Sequence, residues 1–512
     1  MKFSRSSSTE KEGAEKVLAT EKFNNEYTTD EEAGSIELKR GLKDRHVSLI
    51  ALAGIIGPGI LVGAALPTSH GPLSLIIGFG VIGLIAFSMI QSLGELATLY
   101  PSGNVFSTLG NKLIDKSIGG TVGWFYCIIW IAVLSNEYNM VASIMRFWGP
   151  QVPLYGYILI FWTAFLIFQF LGVSTFGEFE YWLALFKVIG ILAFYIFSIV
   201  YVSGGIKGTP AFGFHYWKKP GPLSHGFKSV VFSFVYASTF YSGTEAVAIA
   251  ASETRNPGKA IPSAIRQTFI RILIIYMGIA LFYGLTVPFD APELHSKDKA
   301  LKSPMSIAIV RAGWEGGAHL INAFILITCI SAVNSSIYIG SRTIVHLAHE
   351  GSAPKFLAKV NRWGTPYNAV ILFNLFGFLS LMNVSTGASE AYAYIVNLSG
   401  VAVFVVWGFV NFYHIRFRKA WILQGRSVDD LPYKGLWYPV LPIFGIVINI
   451  FLALIQGWSS FKPFSAKDFV DAYILIPFFF ILALFLKIVN KTKYIKLEDV
   501  DLDEGRRTDL DL

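Results

Sequence analysis

FILITCISAVNSSIYIGS (324–341) and YILIPFFFILALFLKIV (473–489) decide the fold of this 512-residue chain. Each comes close to the ~20 apolar residues that an α-helix needs to cross the hydrocarbon layer. Lipid offers a bare peptide group no hydrogen-bond partner, so such a run crosses as a helix. Similar runs recur along the chain, and charge is scarce. Only 15% of residues are Asp, Glu, Lys or Arg, 53% are hydrophobic, and the mean hydropathy is +0.53. A soluble chain carries about 25% charged residues. The sequence therefore reads as an all-α membrane protein.

Twelve spans are predicted, near residues 47–66, 73–99, 119–146, 154–175, 181–203, 226–250, 268–288, 316–345, 367–385, 391–414, 437–458 and 470–489. Residues 1–46 are rich in Ser, Glu, Lys and Thr and are expected to be a disordered tail. Residues 490–512 form a second, short and charged tail. No cleavable leader is expected, since the first span can serve as the insertion signal. An even span count puts both tails on one side. The loops on that side hold Arg255, Lys259, Arg266, Arg342, Lys355, Arg362, Arg416, Arg418 and Lys419, against Lys218, Lys219 and Lys302 on the other. This bias places both tails in the cytoplasm. The net charge of +8 is read as anchoring charge at helix ends, as in RFRK (416–419) and SRTIVH (341–346), with no nucleic-acid partner implied.

Catalytic and metal chemistry have no visible basis. Cys127 and Cys329 lie in apolar runs, without disulfide or zinc spacing. There is no P-loop, no H-E-x-x-H and no nucleophile elbow. His46, His346 and His349 read as solvated residues at helix ends. The chain is not expected to be an enzyme or to carry a cofactor.

Two spans are interrupted. The first contains AGIIGPGI (53–60) and the sixth YSGTE (241–245). Glycine and proline weaken a helix, and the freed N–H and C=O groups must find partners in the protein. Matching breaks in the first helix of two five-helix halves, 47–203 and 226–414, predict inverted repeats with a ligand site between them. Residues 437–489 add two further helices. Alternatively, Gly57, Gly59 and Gly243 only let helices pack closely.

Ionisable residues within spans are costly, and each is a candidate working part. They are Glu95 in SLGELATLYPSG (92–103), Glu137 in LSNEYNM (134–140), Lys187 in ALFKVIG (184–190) and Glu245 just past the second break. Glu95 reads equally well as a packing partner. A desolvated carboxyl can exchange a proton near neutral pH and so couple a proton gradient to solute movement. FGEFEYW (176–182) is expected to place two acids in water between spans four and five.

KRGLKDRHVSLIALAGIIGPG (39–59), QSLGELATLYPSG (91–103), FGEFEYW, SGTEAVAIAASETRNPGKAIPSAI (242–265) and NSSIYIGSRTIVHLAHEGSAPK (334–355) together resemble the fungal amino acid permeases. These are the yeast amino acid transporter group of the amino acid–polyamine–organocation superfamily. The likeness runs from about Leu38 to Tyr494. The GPG break and FWGPQVPLYGYILIFW (147–162) are similar to a broad-range, low-affinity branch. The resemblance implies a LeuT-type fold of five-plus-five inverted repeats with broken helices 1 and 6, plus two extra helices. It implies substrate contacts at Ile56, Gly57, Gly59 and Ile60 for the carboxylate. It further implies contacts at Thr239, Phe240, Tyr241, Ser242 and Gly243 near the ammonium, and at Glu137. Half-helix ends suit a zwitterion for the same electrostatic reason. Lys187 matches a lysine that replaces sodium in proton-coupled members, and Glu245 and Glu95 are the other proton-coupling candidates. Two departures stand out. Pro58 replaces the usual Thr or Ser, and Thr239 holds the place of the usual aromatic gate, with Phe240 and Tyr241 following.

The expected activity is broad-range amino acid import with a proton, by alternating access, at a plasma membrane. An exchanger, a polyamine carrier and a non-transporting amino acid receptor are the alternatives. Lys11, Lys16, Lys22 and Ser6–Ser8 are candidate ubiquitin and phosphate acceptors, with a ubiquitin ligase as the implied partner.

Overall fold

The computed structural model describes residues 56–100, 104–171, 173–245, 257–295, 302–361, 364–384, 386–461 and 463–507. The predicted N-terminal tail, the start of the first span and residues 246–256, the first part of the link between spans six and seven, lie outside them. Among the described residues the secondary structure is helical, apart from one isolated bridge between Phe461 and Phe464.

Among the described residues, fifteen main helices organise the bundle. They are α1 (Gly59–Thr68), α2 (Pro72–Leu99), α3 (Val105–Leu113), α4 (Lys116–Trp148), α5 (Leu154–Gln169) and α6 (Val173–Val202). Next come α7 (Phe227–Tyr241), α8 (Pro257–Arg271, continued by Ile272–Met277 and Gly278–Thr286), α9 (Pro304–Arg311) and α10 (Gly317–His349). The last are α11 (Tyr367–Val384), α12 (Thr386–Leu423), α13 (Val440–Ile455), α14 (Ala466–Tyr473) and α15 (Leu475–Asn490). Seven of these helices are long and apolar enough to cross a membrane, and α14 with α15 makes an eighth if that pair, bent by 47°, is one span. Three further apolar helices, α1, α5 and α13, are shorter.

α4 and α10 form the centre of the bundle and pack against each other. In each, 72% of the most apolar window is buried, against 33% in α6 and α11, which therefore lie at the periphery. The helices approach through small residues, since between apolar faces in lipid the gain comes from close packing. Gly340 of α10 is such a point: a Cβ built there would sit 2.0 Å from the ring of Phe373 on α11.

Three expectations change. First, α6 begins at Val173, so FGEFEYW is helical. Glu180 is wholly buried within the bundle instead of standing in water. Second, of the basic residues in RFRK and SRTIVH, Lys419 is exposed as an anchor should be, but the three arginines are not solvated. Arg342, Arg416 and Arg418 are buried, because each finds an acceptor or an aromatic face: Arg342 lies 3.7 Å from the Tyr338 ring, and Arg416 donates to the Leu113 carbonyl at 2.7 Å. Third, the charged segment after α15 does not leave the bundle; it runs back across it with Val500 and Leu502 buried.

Gly340→Val is expected to lower stability by about 1–3 kcal/mol, the cost of overpacking a filled contact. The check is the melting temperature of the detergent-purified variant, which should fall well below that of the parent protein.

Candidate functional site

α1 starts as a single π-helical turn, Gly59–Gly63, capped by Pro58. Proline has no N–H to lose at a helix start. The N–H groups of the first turn that follows have no partner inside the helix. Two freed carbonyls are taken by side chains. The Tyr283 hydroxyl donates to Ile60 O at 3.2 Å, and the Ser303 hydroxyl to Leu61 O at 2.7 Å.

The second break follows α7. Ser242 leaves the helix in extended geometry, and Gly243 adopts φ +91°, a conformation that a side chain would strain. This turn points Glu245 inward. Its Oε1 accepts the Gly243 N–H at 3.1 Å and its Oε2 the Trp407 indole N–H at 3.1 Å. The Tyr276 hydroxyl caps the Phe240 carbonyl at 2.9 Å, and Thr244 caps that of Tyr241 at 2.6 Å. Residues 246–256 lie outside the described residues.

A cavity of about 710 Å³ lies between the breaks. Gly57, Gly59, Ile60, Glu137, Thr239, Phe240 and Ser242 all border it. Ile56, Tyr241 and Gly243 are not among its lining residues. Of the two aromatics after Thr239, Phe240 faces the cavity and lies over the first break. A Cβ added to Gly59 would meet its ring at 2.9 Å. Tyr241 points the opposite way, stacked on Tyr276 with centroids 4.0 Å apart, and donates to Phe79 O at 2.9 Å. Successive residues of a helix point about 100° apart, and that step turns Tyr241 away from the cavity that Thr239 and Phe240 border. Glu137 faces Gly57, whose Cβ position lies 3.4 Å from its Oε1. Sequence reasoning missed Trp130, Asn136, Ser335 and Ser399, which also border the cavity. They lie on α4, α10 and α12; Asn136 and Ser335 sit inside quoted segments, beside Glu137 and Asn334, but carry no charge to single them out.

The cavity reaches one end of the bundle, where His70, His225, Lys228, Lys302, Trp458 and Asp468 form its mouth. At the other end Glu95 is held by three donated hydrogen bonds, with a histidine nitrogen beside them. Arg418 binds it in a fork, with Nη2 at 2.7 Å, His414 Nε2 lies at 3.1 Å, and the Gly435 N–H donates at 2.7 Å. A carboxylate so enclosed ties α2 to α12 and to the loop before α13.

Lys187 stands apart from the cavity. Its ammonium donates to the Ser331 hydroxyl at 2.6 Å, and that hydroxyl donates to Glu180, whose Oε1 is 3.8 Å from the Lys187 nitrogen. Asn334 also reaches Glu180, at 3.4 Å. Glu180 and Lys187 are seven residues apart, two turns of one helix, so they share a face once α6 is read as continuous. That spacing was the overlooked signal. Residues 51–55, where the first break begins, lie outside the described residues. Arg271 was overlooked too. It is wholly buried at the point where α8 becomes π-helical, within electrostatic reach of Glu245.

Glu180→Gln leaves the Lys187 ammonium buried without its counter-charge and is expected to cost about 3–5 kcal/mol, whereas Glu180→Leu with Lys187→Met should recover most of that loss. Thermal unfolding of the single and double variants in detergent measures both.

The comparisons agree with this architecture. The family described as amino acid permease matches residues 46–498. The protein named general amino acid permease AGP3 of Saccharomyces cerevisiae is 59% identical over 93% of this chain and 86% of its own length. An uncharacterized amino-acid permease of Schizosaccharomyces pombe is 50% identical over 93% and 88%. The basic amino-acid permease of Saccharomyces cerevisiae is 38% identical over 92% and 85%. None of these names is an enzyme's. With a family match over residues 46–498 and a relative 59% identical over 93% of its length, the chain belongs to the amino acid permease family.

Proposed function

We propose that this chain is a broad-range importer of amino acids that moves its substrate together with a proton, by alternating access, at the plasma membrane of a fungal cell. The cavity between the two interrupted helices is the observation that carries this reading. Its floor offers the free N–H end of α1 to a carboxylate, while the last turn of α7 and Glu137 offer oxygen atoms to an ammonium. An α-amino acid presents those two charges side by side. The apolar remainder, with Phe240, Val401 and Met140, sets no single requirement on the side chain. That fits a broad range, as does the name of the 59% identical relative.

On this reading the three short apolar helices, α7 and the bent α14–α15 pair are spans like the seven long ones. The twelve then divide into five-helix halves at 47–203 and 226–414, of LeuT type, with two helices added at 437–489. The tail end of the bundle is cytoplasmic, and the mouth with His70 and Lys302 is outside. Glu245 is the proton carrier. It lies directly behind the second break, where Gly243 ties its carboxylate to the backbone that cups the substrate. A proton gained or lost there changes the same hydrogen bonds that shape the site. The Lys187–Glu180 pair steadies α6 against α10 during the motion. Glu95 serves as a joint at the inner end.

The test is uptake of a radiolabelled amino acid panel in cells without their own permeases, with and without a protonophore. Uptake should span several side-chain classes, rise as the outside is acidified, and collapse with the protonophore. Glu245→Gln at normal surface levels should lose on the order of tenfold or more, equivalent to about 1.4 kcal/mol of coupling. Reconstituted protein whose uptake ignores an imposed pH gradient would sink the symport reading, and acceleration by unlabelled amino acid inside the vesicles would point to exchange.

A further inference from the structure

Residues 491–507 are tied to three separate helices at the end of the bundle opposite the cavity mouth. α2 fixes the direction: it starts beside the mouth residue His70 and, at 28 residues, carries the chain about 42 Å to Leu99. There the Arg507 N–H donates to Leu99 O at 3.1 Å, and the Tyr100 hydroxyl donates to Leu502 O at 2.6 Å. On α3, Lys112 donates to Asp501 O at 2.5 Å, and just past it the Ile495 N–H donates to Ile114 O at 2.8 Å. From the α12 side, Arg416 donates to Ile495 O at 2.8 Å and Gln424 to Val500 O at 2.7 Å. Arg426, just beyond α12, grips Asp503 in a two-pronged pair at 2.8 and 2.5 Å.

These contacts are of two kinds. Val500 and Leu502 are 2% and 1% exposed, so the segment is anchored by apolar burial and does not merely lie on a surface. The polar contacts go mostly to its backbone carbonyls, which a mobile tail could not hold in place. What the segment joins matters more than its own stability. α2 and α3 come from the first half of the chain and α12 from the second, and the segment bridges their ends across the side where the cavity is shut.

We propose that residues 491–507 are a latch that holds this end of the bundle closed while the cavity is open at the other. The proposal rests on the alternating-access reading above. Opening the closed end must part α2 from α12, and one chain fastened to both resists that movement until it lets go. The Arg426–Asp503 pair is the most exposed fastening, at 24% and 66%, so altering it loosens the latch without disturbing the core.

Labelling of a cysteine at Gln91 reads the closed end directly. Gln91 is buried on α2 two turns before Leu99, under Tyr433, whose hydroxyl donates to its Oε1 at 2.6 Å. The native Cys127 and Cys329, both buried, are replaced by alanine. The reagent is a membrane-impermeant maleimide applied to the cytoplasmic face of inside-out vesicles carrying the full chain. Arg426→Asp or Asp503→Arg should speed labelling roughly two- to fivefold, the range expected for an exposed ion pair. The two together should return it to the parent rate. Leu502→Ala, which removes an anchor without changing charge, should move labelling the same way and serves if a charge reversal fails to reach the membrane.

Labelling at the parent rate in the single variants, or no recovery in the exchanged pair, overturns the latch. If saturating amino acid leaves the labelling of the parent unchanged, the alternating-access reading fails and the latch with it. Parent labelling that responds to amino acid, beside tail variants that do not differ from the parent, overturns the latch alone.

Discussion

A backbone carbonyl in a membrane protein must be hydrogen-bonded by the protein, and this rule shapes the centre of the molecule. Breaking α1 and ending α7 early leaves peptide groups without helical partners. They are satisfied largely by hydroxyls. Tyr283 and Ser303 serve the first break, while Tyr276 and Thr244 serve the second. Two of these groups, Tyr276 and Tyr283, come from α8, whose own π-helical stretch Ile272–Met277 lies between Arg271 and Gly278. An irregular stretch in one helix thus helps satisfy the irregular stretches of two others. Without those hydroxyls each buried carbonyl would carry its desolvation cost.

Buried charge obeys the same logic. Glu95, Glu180 and Glu245 are all wholly buried, but their surroundings differ. Glu95 is enclosed by an arginine fork, a histidine and a backbone N–H, an arrangement suited to a permanent joint. Glu180 shares a serine hydroxyl with Lys187 within one interlocked group on α6 and α10. Glu245 is held by two N–H groups from neutral partners, Gly243 and Trp407, with the Arg271 charge within electrostatic reach but not in a fork around it. A carboxyl bound by neutral donors can take up a proton at less cost than one enclosed by a fork of positive charge. That contrast is why the coupling role is proposed for Glu245 and a structural one for Glu95.

The closed end of the bundle is fastened by several groups of directed bonds. Besides the Glu95 cluster, Glu350 beyond α10 accepts from Ser107 and Thr108 of α3. The segment after α15 joins α12 to α2. The cavity end is different. Its rim mixes lysines, histidines and aspartates with the aromatic ring of Trp458. One end is fastened by many directed bonds and the other is lined by solvated side chains, an asymmetry expected of a carrier resting open to one side.

Much of this was legible in the residues alone. Apolar runs near twenty residues long name a membrane helix because lipid leaves no other solution, and Gly-Pro-Gly or Ser-Gly-Thr within such a run names a break because the helix cannot be sustained there. Glu137 and Glu245 stood out as acids in apolar stretches, and both lie at or directly behind the cavity. What the sequence could not reveal was rotation and pairing. Whether Phe240 or Tyr241 faces the cavity depends on a turn of 100° that no motif records. The partners of Glu95 lie more than 300 positions away, on α12 and in the loop before α13, and nothing local announces them. Glu180 was misplaced in water because an acid among aromatics looks like a connector until Lys187, two turns on, neutralises it. Local chemistry, acting over a few residues, determined where helices run and where they break. Only the packing of those helices decided which charges meet, which ring faces the cavity, and that the C-terminal segment lies bound across its closed end.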